Sequence, residues 1–247
     1  MHFVLVHGGA TTSRFWDRLV PLLAHPVLAV DLPGRAGKEC DPMALTVDDC
    51  VASIVADVES AGVDGDVVFV AHSSGGLFVP GAAAALGERV RHVVLSAASV
   101  PPEGGTGLEC MQPKHRARTE QGIAAARRDG WVLTTPGPPE DPEVMRRAYG
   151  GDPLDDETLA FVVDPARAVK DSMNFYFQPV SWRAVAHVPV TYVKGLRDNP
   201  IPPALQDEMI ARLPNPVEVV EMDVGHIPAV THAAEFAAVC NRAAGAR

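Results

Sequence analysis

The sequence predicts an α/β protein with a doubly wound, mostly parallel sheet of about six strands. Short apolar runs alternate with helical patterns from the first residues onward, which is typical of a parallel sheet covered by helices on both faces. With 247 residues, 47% of them hydrophobic, the chain can bury a substantial core in one large domain. Residues 101–187 contain no good strand, and we expect a mostly helical lid there, inserted after the fourth strand. Residues 1–100 and 188–247 then form the predicted core.

The first half of the chain contains the predicted strands one to four and the clearest helix. The strands are short apolar runs that cover residues 3–6, 26–30, 66–71 and 90–96. Residues 13–23 carry apolar side chains at helical spacing, which predicts a helix between the first two strands. The clearest helix covers residues 47–58, with Thr46 as its N-cap and Gly62 as its left-handed end.

The second half continues the alternation after the lid. Residues 188–194 and 217–222 are the fifth and sixth predicted strands, and a helical pattern follows each of them. Within the lid, residues 121–128 and 157–169 are helix-like. The lid also carries a basic group made of Lys114, Arg116, Arg118, Arg127 and Arg128. We interpret this group as a solvated helix face rather than an anion site.

Charge and composition restrict the classes of partner. The formal net charge of -10 with scattered Lys and Arg argues against a nucleic-acid partner and against docking on an anionic membrane. No apolar run reaches the ~18 residues that a membrane span needs, and the N-terminus lacks a leader pattern, so we expect a cytoplasmic protein. The four cysteines form no CxxC pair, which favours free thiols. No ligand spacing resembles a metal site, and a small-molecule substrate remains.

A candidate nucleophile lies at the end of the third predicted strand, in Ala71-His72-Ser73-Ser74-Gly75. A nucleophile on a sharp strand-to-helix turn needs small residues two positions before and after it, because strand and helix pass closely there. Ser73 satisfies this condition with Ala71 and Gly75, whereas Ser74 would have the bulky His72 two positions before it. The spacing therefore selects Ser73.

The base and the acid of a catalytic triad follow the last two predicted strands. A serine hydroxyl needs a base, and the base needs a carboxylate that fixes its tautomer. His226 follows the sixth strand and Asp198 follows the fifth, so both lie at the carboxyl ends of strands, where open parallel sheets place their sites. Asp223 is a rival acid, but it precedes His226 by only three residues and is more typical of a turn.

An acyl-transfer site also needs donors for the oxyanion. The backbone N–H of Ser74 is one candidate, because it follows the nucleophile at the start of a helix. The N–H of Gly9, in the loop after the first strand, is the other, with Ala10 as its nearest rival. The residues that we predict to contact substrate are Ala10, His72, Trp131, Phe175, Phe177 and Ile227.

Four motifs in order give the chain a family resemblance. They are LVHGG near the start, DLPG after the second strand, AHSSGG at the nucleophile and GHIP near the end. Through them the chain resembles the α/β-hydrolase superfamily, and in particular its small esterase and hydroxynitrile-lyase-like branch. The resemblance implies the α/β-hydrolase fold, a helical cap and an enzyme without a cofactor. Two positions depart from the pattern: Ala71 stands where glycine is usual, and Ile227 stands where hydroxynitrile lyases carry a lysine.

These residues lead to one main functional hypothesis and two alternatives. The main hypothesis is hydrolysis of a carboxylic ester, thioester or lactone of a small to medium molecule through an acyl-enzyme. One alternative keeps the fold and performs C–C cleavage, decarboxylation or cyclisation of a polyketide-like or aromatic substrate. The other is a ligand-binding receptor or pseudoenzyme on the same fold. The substrate and the oligomeric state stay open, with a homodimer as the candidate assembly.

Overall fold

The computed structural model describes residues 1–137, 139 and 141–245. Six strands form one parallel sheet in the order β2-β1-β3-β4-β5-β6. The strands are β1 His2–Val6, β2 Val27–Val30, β3 Val67–His72, β4 Val90–Ser96, β5 Val190–Gly195 and β6 Val217–Met222. The order reverses between β1 and β3, so the sheet is doubly wound. The predicted fold class is therefore confirmed.

Strand β3, in the middle of the sheet, is apolar from Val67 to Ala71 because both of its faces are covered. In β3, Val67, Phe69 and Ala71 belong to the apolar cluster on one face of the sheet. Val68 and Val70 belong to the cluster on the opposite face. Side chains alternate across a strand, so a continuous apolar run is what a strand buried on both faces requires.

Helices cover the two faces. In chain order they are α1 Val47–Ser60, α2 Val79–Leu86, α3 Pro113–Asp129, α4 Pro142–Ala148, α5 Asp156–Val163, α6 Pro203–Arg212, α7 Pro228–Thr231 and α8 Ala233–Gly245. Ile54 of α1 and Met209 of α6 pack on one face, and Phe236 of α8 packs on the other. The start of α1 is fixed by a capping box between Thr46 and Asp49, as the sequence predicts. Among the described residues, no helix combines the length and the apolar character needed to cross a bilayer.

Two predicted helices differ from the structure, and proline explains both differences. Residues 13–23 form two short 3₁₀ turns, Ser13–Trp16 and Val20–Leu22, instead of one α-helix. Pro21 has no N–H to continue a helix, although Trp16 is still fully buried. The predicted helix 157–169 ends at Val163, because Asp164 precedes a proline and is disfavoured in the helical conformation.

Between β4 and β5 the chain leaves the sheet for the lid segment, residues 101–187. It contains α3, α4, α5 and three 3₁₀ turns, joined by irregular backbone. The basic residues of α3 are exposed, which agrees with the predicted solvated face. The lid segment pairs with the core at the isolated bridges Thr11–Ala168 and Gly150–Asp198. Both bridges lie at the carboxyl edge of the sheet, where the predicted site residues also lie.

Candidate active site

Ser73 lies on a sharp turn between β3 and the 3₁₀ turn Ser73–Leu77. Its φ of +50° is in the left-handed region, which is strained for a residue with a side chain. A Cβ added at Gly75 would come within 2.7 Å of the Val6 carbonyl oxygen, and one at Gly76 would overlap the Ser99 carbonyl oxygen. Only glycine fits at positions 75 and 76, and the strained turn presents Ser73 at the edge of the sheet.

His226 and Asp198 form a buried hydrogen-bonded pair. His226 Nδ1 lies 2.7 Å from Asp198 Oδ2, and the Asp198 side chain is fully buried. The other carboxylate oxygen, Oδ1, accepts a hydrogen bond of 2.8 Å from the N–H of Ile201. Because Nδ1–H donates its hydrogen bond to the carboxylate, the neutral ring carries its proton on Nδ1. His226 Nε2 is then free to accept a proton. The rival Asp223 is instead paired with Arg197 at 2.9 Å.

His72 supports the backbone of the histidine loop. Its Nε2 lies 2.9 Å from the His226 carbonyl oxygen, and its ring stacks on Phe15 with centroids 4.7 Å apart. Burial lowers the pKa of His72 well below its ordinary value, so the ring is neutral. A neutral ring that faces a carbonyl must carry its proton on Nε2, and His72 therefore donates to His226.

The two candidates for the second oxyanion donor differ in their hydrogen bonds. The Ala10 N–H donates to Asp171 Oδ2 at 2.6 Å, whereas the Gly9 N–H has no partner among the residues that the structure describes. A Cβ added at Gly9 would lie 3.4 Å from Ser74 Oγ and 3.2 Å from Tyr176 Oη. Gly9 therefore lies beside Ser74, the residue that follows the nucleophile, and its N–H is not engaged by a described residue, so Gly9 is favoured over Ala10.

A cavity of about 330 Å³ lies beside Ser73 and His226. It is lined by Gly9, Ala10, Thr11, Phe15, His72, Ser73, Thr135, Pro136, Tyr149, Tyr176, Pro200, His226 and Ile227. A second cavity of about 190 Å³ adjoins the first, and residues 9–11 line both. The second cavity continues under the lid segment past Met145 and Val162. Among the residues that the structure describes, no Asp, Glu, Lys or Arg lines either cavity. The described residues also assemble no group of three or more His, Cys, Asp or Glu that could hold a metal ion.

The predicted substrate contacts divide into two groups. Ala10, His72 and Ile227 line the cavity beside Ser73. Trp131 is 43% exposed and borders a separate groove on the lid. Phe175 packs against Phe78 in the core, with ring centroids 5.1 Å apart. Phe177 lies beneath the guanidinium of Arg127. The prediction that these three aromatic residues contact substrate is corrected in this respect: none of them lines the cavity beside Ser73.

Tyrosines occupy the places predicted for those aromatic residues. Tyr149 lies nearly parallel to the His226 ring, at a centroid distance of 6.4 Å, and Tyr176 borders the oxyanion region. Burial raises the pKa of each tyrosine to about 12, so both hydroxyls stay protonated. Sequence pattern could not distinguish Tyr176 from Phe175 and Phe177, because the three are consecutive in one apolar stretch, and Tyr149 lies among polar residues and glycines.

The comparisons with known proteins agree with this geometry. A model of the α/β-hydrolase family matches residues 3–239. The chain belongs to the α/β-hydrolase family. It is similar to Methylesterase 17 of Arabidopsis thaliana, with 27% identity over 238 residues, which cover 92% of this chain and 85% of that protein.

Solved structures support the same α/β-hydrolase fold. An extracellular α/β-hydrolase from a Paenibacillus species, described as homologous in structure and function to tobacco Salicylic Acid Binding Protein 2, superposes with a TM-score of 0.80. It is 18% identical, and the match covers 98% of each chain. A pyrethroid hydrolase from Sphingobium faniae JZ-2 gives a TM-score of 0.74 at 22% identity, over 99% of this chain and 97% of that one. The predicted family resemblance is confirmed.

In this α/β-hydrolase the lid segment also contacts the loops that carry the acid and the base. The Tyr149 carbonyl oxygen accepts a hydrogen bond of 2.8 Å from the N–H of His226. Gly150 has a φ of +74°, and a Cβ added there would overlap the Arg197 carbonyl oxygen beside Asp198. Our sequence interpretation missed this contact. The pair Gly150-Gly151 inside the lid is the signal that could have revealed it.

Proposed function

We propose that this α/β-hydrolase is a serine esterase that cleaves carboxylic esters, thioesters or lactones of small to medium-sized molecules. One observation carries the proposal. His226 Nδ1–H donates a hydrogen bond to a buried carboxylate 2.7 Å away, and His226 lines the same cavity as the strained Ser73. This arrangement supplies a nucleophile, a base of the correct tautomer and room for a substrate.

In the proposed reaction, His226 Nε2 takes the hydroxyl proton of Ser73 while Ser73 Oγ forms a bond to the substrate carbonyl carbon. The carbonyl oxygen becomes an oxyanion, which the N–H groups of Gly9 and Ser74 stabilise. The tetrahedral intermediate collapses, the bond to the leaving group breaks, and His226 returns its proton to that group. Water then repeats the sequence on the acyl-enzyme, which releases the acid and restores Ser73.

The proposed substrate is uncharged near the bond that is cleaved. No described residue places an Asp, Glu, Lys or Arg side chain in the lining of the cavity beside Ser73, so a substrate carboxylate or ammonium would lose hydration there without gaining a partner from these residues. The second cavity, past Met145 and Val162, offers an apolar place for one half of the molecule. Methylesterase 17 is named for an ester substrate, and the neighbour from Sphingobium faniae is named a hydrolase, which supports the proposal.

Active-site labelling tests the proposed function. We expect a fluorophosphonate probe to form a covalent adduct on Ser73, located by peptide mass spectrometry, and nitrophenyl esters of graded chain length to be turned over. Ser73→Ala should abolish the adduct and lower kcat by about 10⁴ or more. Ser60→Ala, at an exposed serine at the end of α1, is the matched control and should leave both unchanged.

Three results would count against the proposal. Near-normal turnover in Ser73→Ala would show that another residue is the nucleophile. Labelling of Ser73 without turnover of any ester would favour the non-hydrolytic chemistry. Tight binding of a neutral ligand by folded protein that neither labels nor turns over esters would favour a receptor.

A further inference from the structure

The loop that carries the Gly9 donor has a conformation that its own sequence does not favour. Ala10 has a φ of +58°, in the left-handed region where a residue other than glycine costs on the order of 1 kcal/mol. Such a conformation persists only when surrounding contacts over-determine it. The contacts around residues 8–11 therefore decide where the Gly9 N–H lies.

Those contacts come from a turn of the core and from the lid segment. The Ala10 N–H donates to Asp171 Oδ2 at 2.6 Å, and the Val169 N–H donates to the Ala10 carbonyl oxygen at 3.0 Å. Arg35 Nη1 donates to the Thr11 carbonyl oxygen at 2.6 Å. Both polar groups of Ala10 are thus occupied by the lid segment, and the Gly9 N–H is left for a ligand.

Arg35 and Asp171 also bind each other. Arg35 Nη2 lies 2.5 Å from Asp171 Oδ1, and their side chains are only 3% and 2% exposed. Removing two such charges from water costs several kcal/mol for each ion, and an apolar pair of similar volume is often equally stable. Stability alone therefore gives no reason for an ion pair at this place.

The charge of Asp171 bears directly on the reaction. A Cβ added at Gly9 would lie 3.8 Å from Asp171 Oδ2, so the carboxylate lies within a few ångströms of the oxyanion donor. An unpaired carboxylate there would repel the negative charge that develops on the substrate. Arg35 cancels that charge, which allows the carboxylate to serve as an acceptor for Ala10 without opposing the oxyanion.

Asp171 is also fixed from the cavity side. Its N–H donates to Thr135 Oγ1 at 2.9 Å, and the Thr135 N–H donates to the Asp171 carbonyl oxygen at 2.8 Å. Thr135 itself lines the cavity beside Ser73. The acceptor for Ala10 is therefore tied through its backbone to Thr135, a residue of the cavity wall.

We propose that Asp171, neutralised by Arg35, is a positioning residue of the lid segment that orients the oxyanion loop through the Ala10 N–H. The inference rests on the proposed esterase function. By binding the Ala10 N–H, Asp171 holds the strained residue 10 and turns the preceding N–H, that of Gly9, toward the substrate. The lid segment is then a structural part of the oxyanion hole, and the hole exists only while the lid is docked.

Two double variants separate this role from a purely structural one. Arg35→Met with Asp171→Asn removes both charges and keeps an oxygen acceptor for the Ala10 N–H. Arg35→Met with Asp171→Leu removes the charges and the acceptor, with a side chain of nearly the same shape as asparagine. The two proteins differ at one side chain, and only the asparagine offers an oxygen to the Ala10 N–H, so the comparison reports on that hydrogen bond.

We expect the leucine variant to have a kcat about 10- to 100-fold below that of the asparagine variant, with KM values within about threefold, because a misplaced donor weakens only the transition state. A trifluoromethyl ketone of the best ester, which forms an oxyanion on Ser73, should lose affinity by a similar factor. Fluorescence-detected thermal unfolding, run in parallel, reports folding. If the Arg35→Met background does not fold, Asp171→Asn and Asp171→Leu alone provide the same comparison.

Equal kcat and equal ketone affinity in the two variants would overturn the positioning role of Asp171. A loss confined to thermal stability, with kcat unchanged in the folded protein, would also overturn it. Failure of the proposed function is seen separately, because wild-type protein would then hydrolyse no ester of the panel.

Discussion

Replacing Asp198 by asparagine should move the ring proton of His226 from Nδ1 to Nε2. The Asp198 side chain is fully buried, and its Oδ1 already accepts a hydrogen bond from the Ile201 N–H. An asparagine at this position keeps that contact only if its oxygen stays on Ile201, which places its NH₂ group against His226 Nδ1. Nδ1 must then accept the hydrogen bond from this NH₂ group, so the ring proton moves to Nε2. A protonated Nε2 can no longer accept the hydroxyl proton of Ser73.

The size of the effect follows from the loss of the base. In serine triads the wrong tautomer lowers kcat by about 10⁴, which corresponds to about 5.4 kcal/mol of transition-state stabilisation. We expect a loss of this order for Asp198→Asn, with little change in KM, because Asp198 does not line the cavity. The assay is steady-state hydrolysis of the best nitrophenyl ester, with active sites counted by fluorophosphonate labelling of folded protein.

Asp223→Asn is the matched control for this variant. Asp223 is the other carboxylate near His226 in the chain, but it pairs with Arg197 at 2.9 Å. We expect its variant to retain wild-type kcat. An Asp198→Asn protein within about tenfold of wild-type activity would refute the assignment of the acid, as would a large loss in Asp223→Asn with none in Asp198→Asn.

The remaining predictions concern the contact of Gly150 with the Asp198 loop and the buried histidine His7. Gly150→Ala should lower both the unfolding free energy and kcat, because its methyl group would overlap the Arg197 carbonyl oxygen beside Asp198. Gly130→Ala is the matched control in denaturant titrations and ester assays: its φ of +72° is similar, but the space around it is open, so only about 1 kcal/mol should be lost. Burial and Arg35 lower the pKa of His7 to about 3, against 6.5 in the unfolded chain, so unfolding takes up a proton at His7 and stability is lost as the pH falls below about 6.5. Urea titrations should show that this residue costs about 2 kcal/mol of unfolding free energy between pH 7 and pH 5. The loss should be absent in His7→Gln and present in the control His115→Gln. A His7→Gln protein whose unfolding free energy falls with pH as steeply as that of the wild type would contradict the pKa shift of His7.

Local sequence was sufficient for the sheet. Strands β4 and β6 were predicted at their observed bounds, because each is a short run rich in valine, a residue that favours strands. The helix α1 was equally clear, since its capping box and its apolar spacing lie within one stretch of chain. The candidate triad could also be chosen in advance. Its members occur in the order Ser, Asp, His that is typical of α/β-hydrolases. Of the two adjacent serines at the turn, only Ser73 has small residues two positions before and after it.

The choice between Gly9 and Ala10 depended on a residue far away in the chain. Ala10 lies 161 positions from Asp171, and only the folded lid brings that carboxylate to the Ala10 N–H. The same is true of the Arg35–Asp171 pair and of Gly150 against the Asp198 loop. The contacts of Asp171 have no local signature, because an aspartate in a loop has many uses, and the pair Gly150-Gly151 indicates a close approach without identifying its partner.

The lining of the cavity was the other feature that sequence could not settle. Phe175 and Tyr176 are neighbours in the chain, yet one packs in the core while the other borders the oxyanion region. Periodicity reports which residues are apolar, and an apolar side chain is equally suited to a core and to a substrate pocket. Which of the two it joins depends on how the lid packs on the sheet, and that packing is decided by long-range contacts that form only in the folded chain.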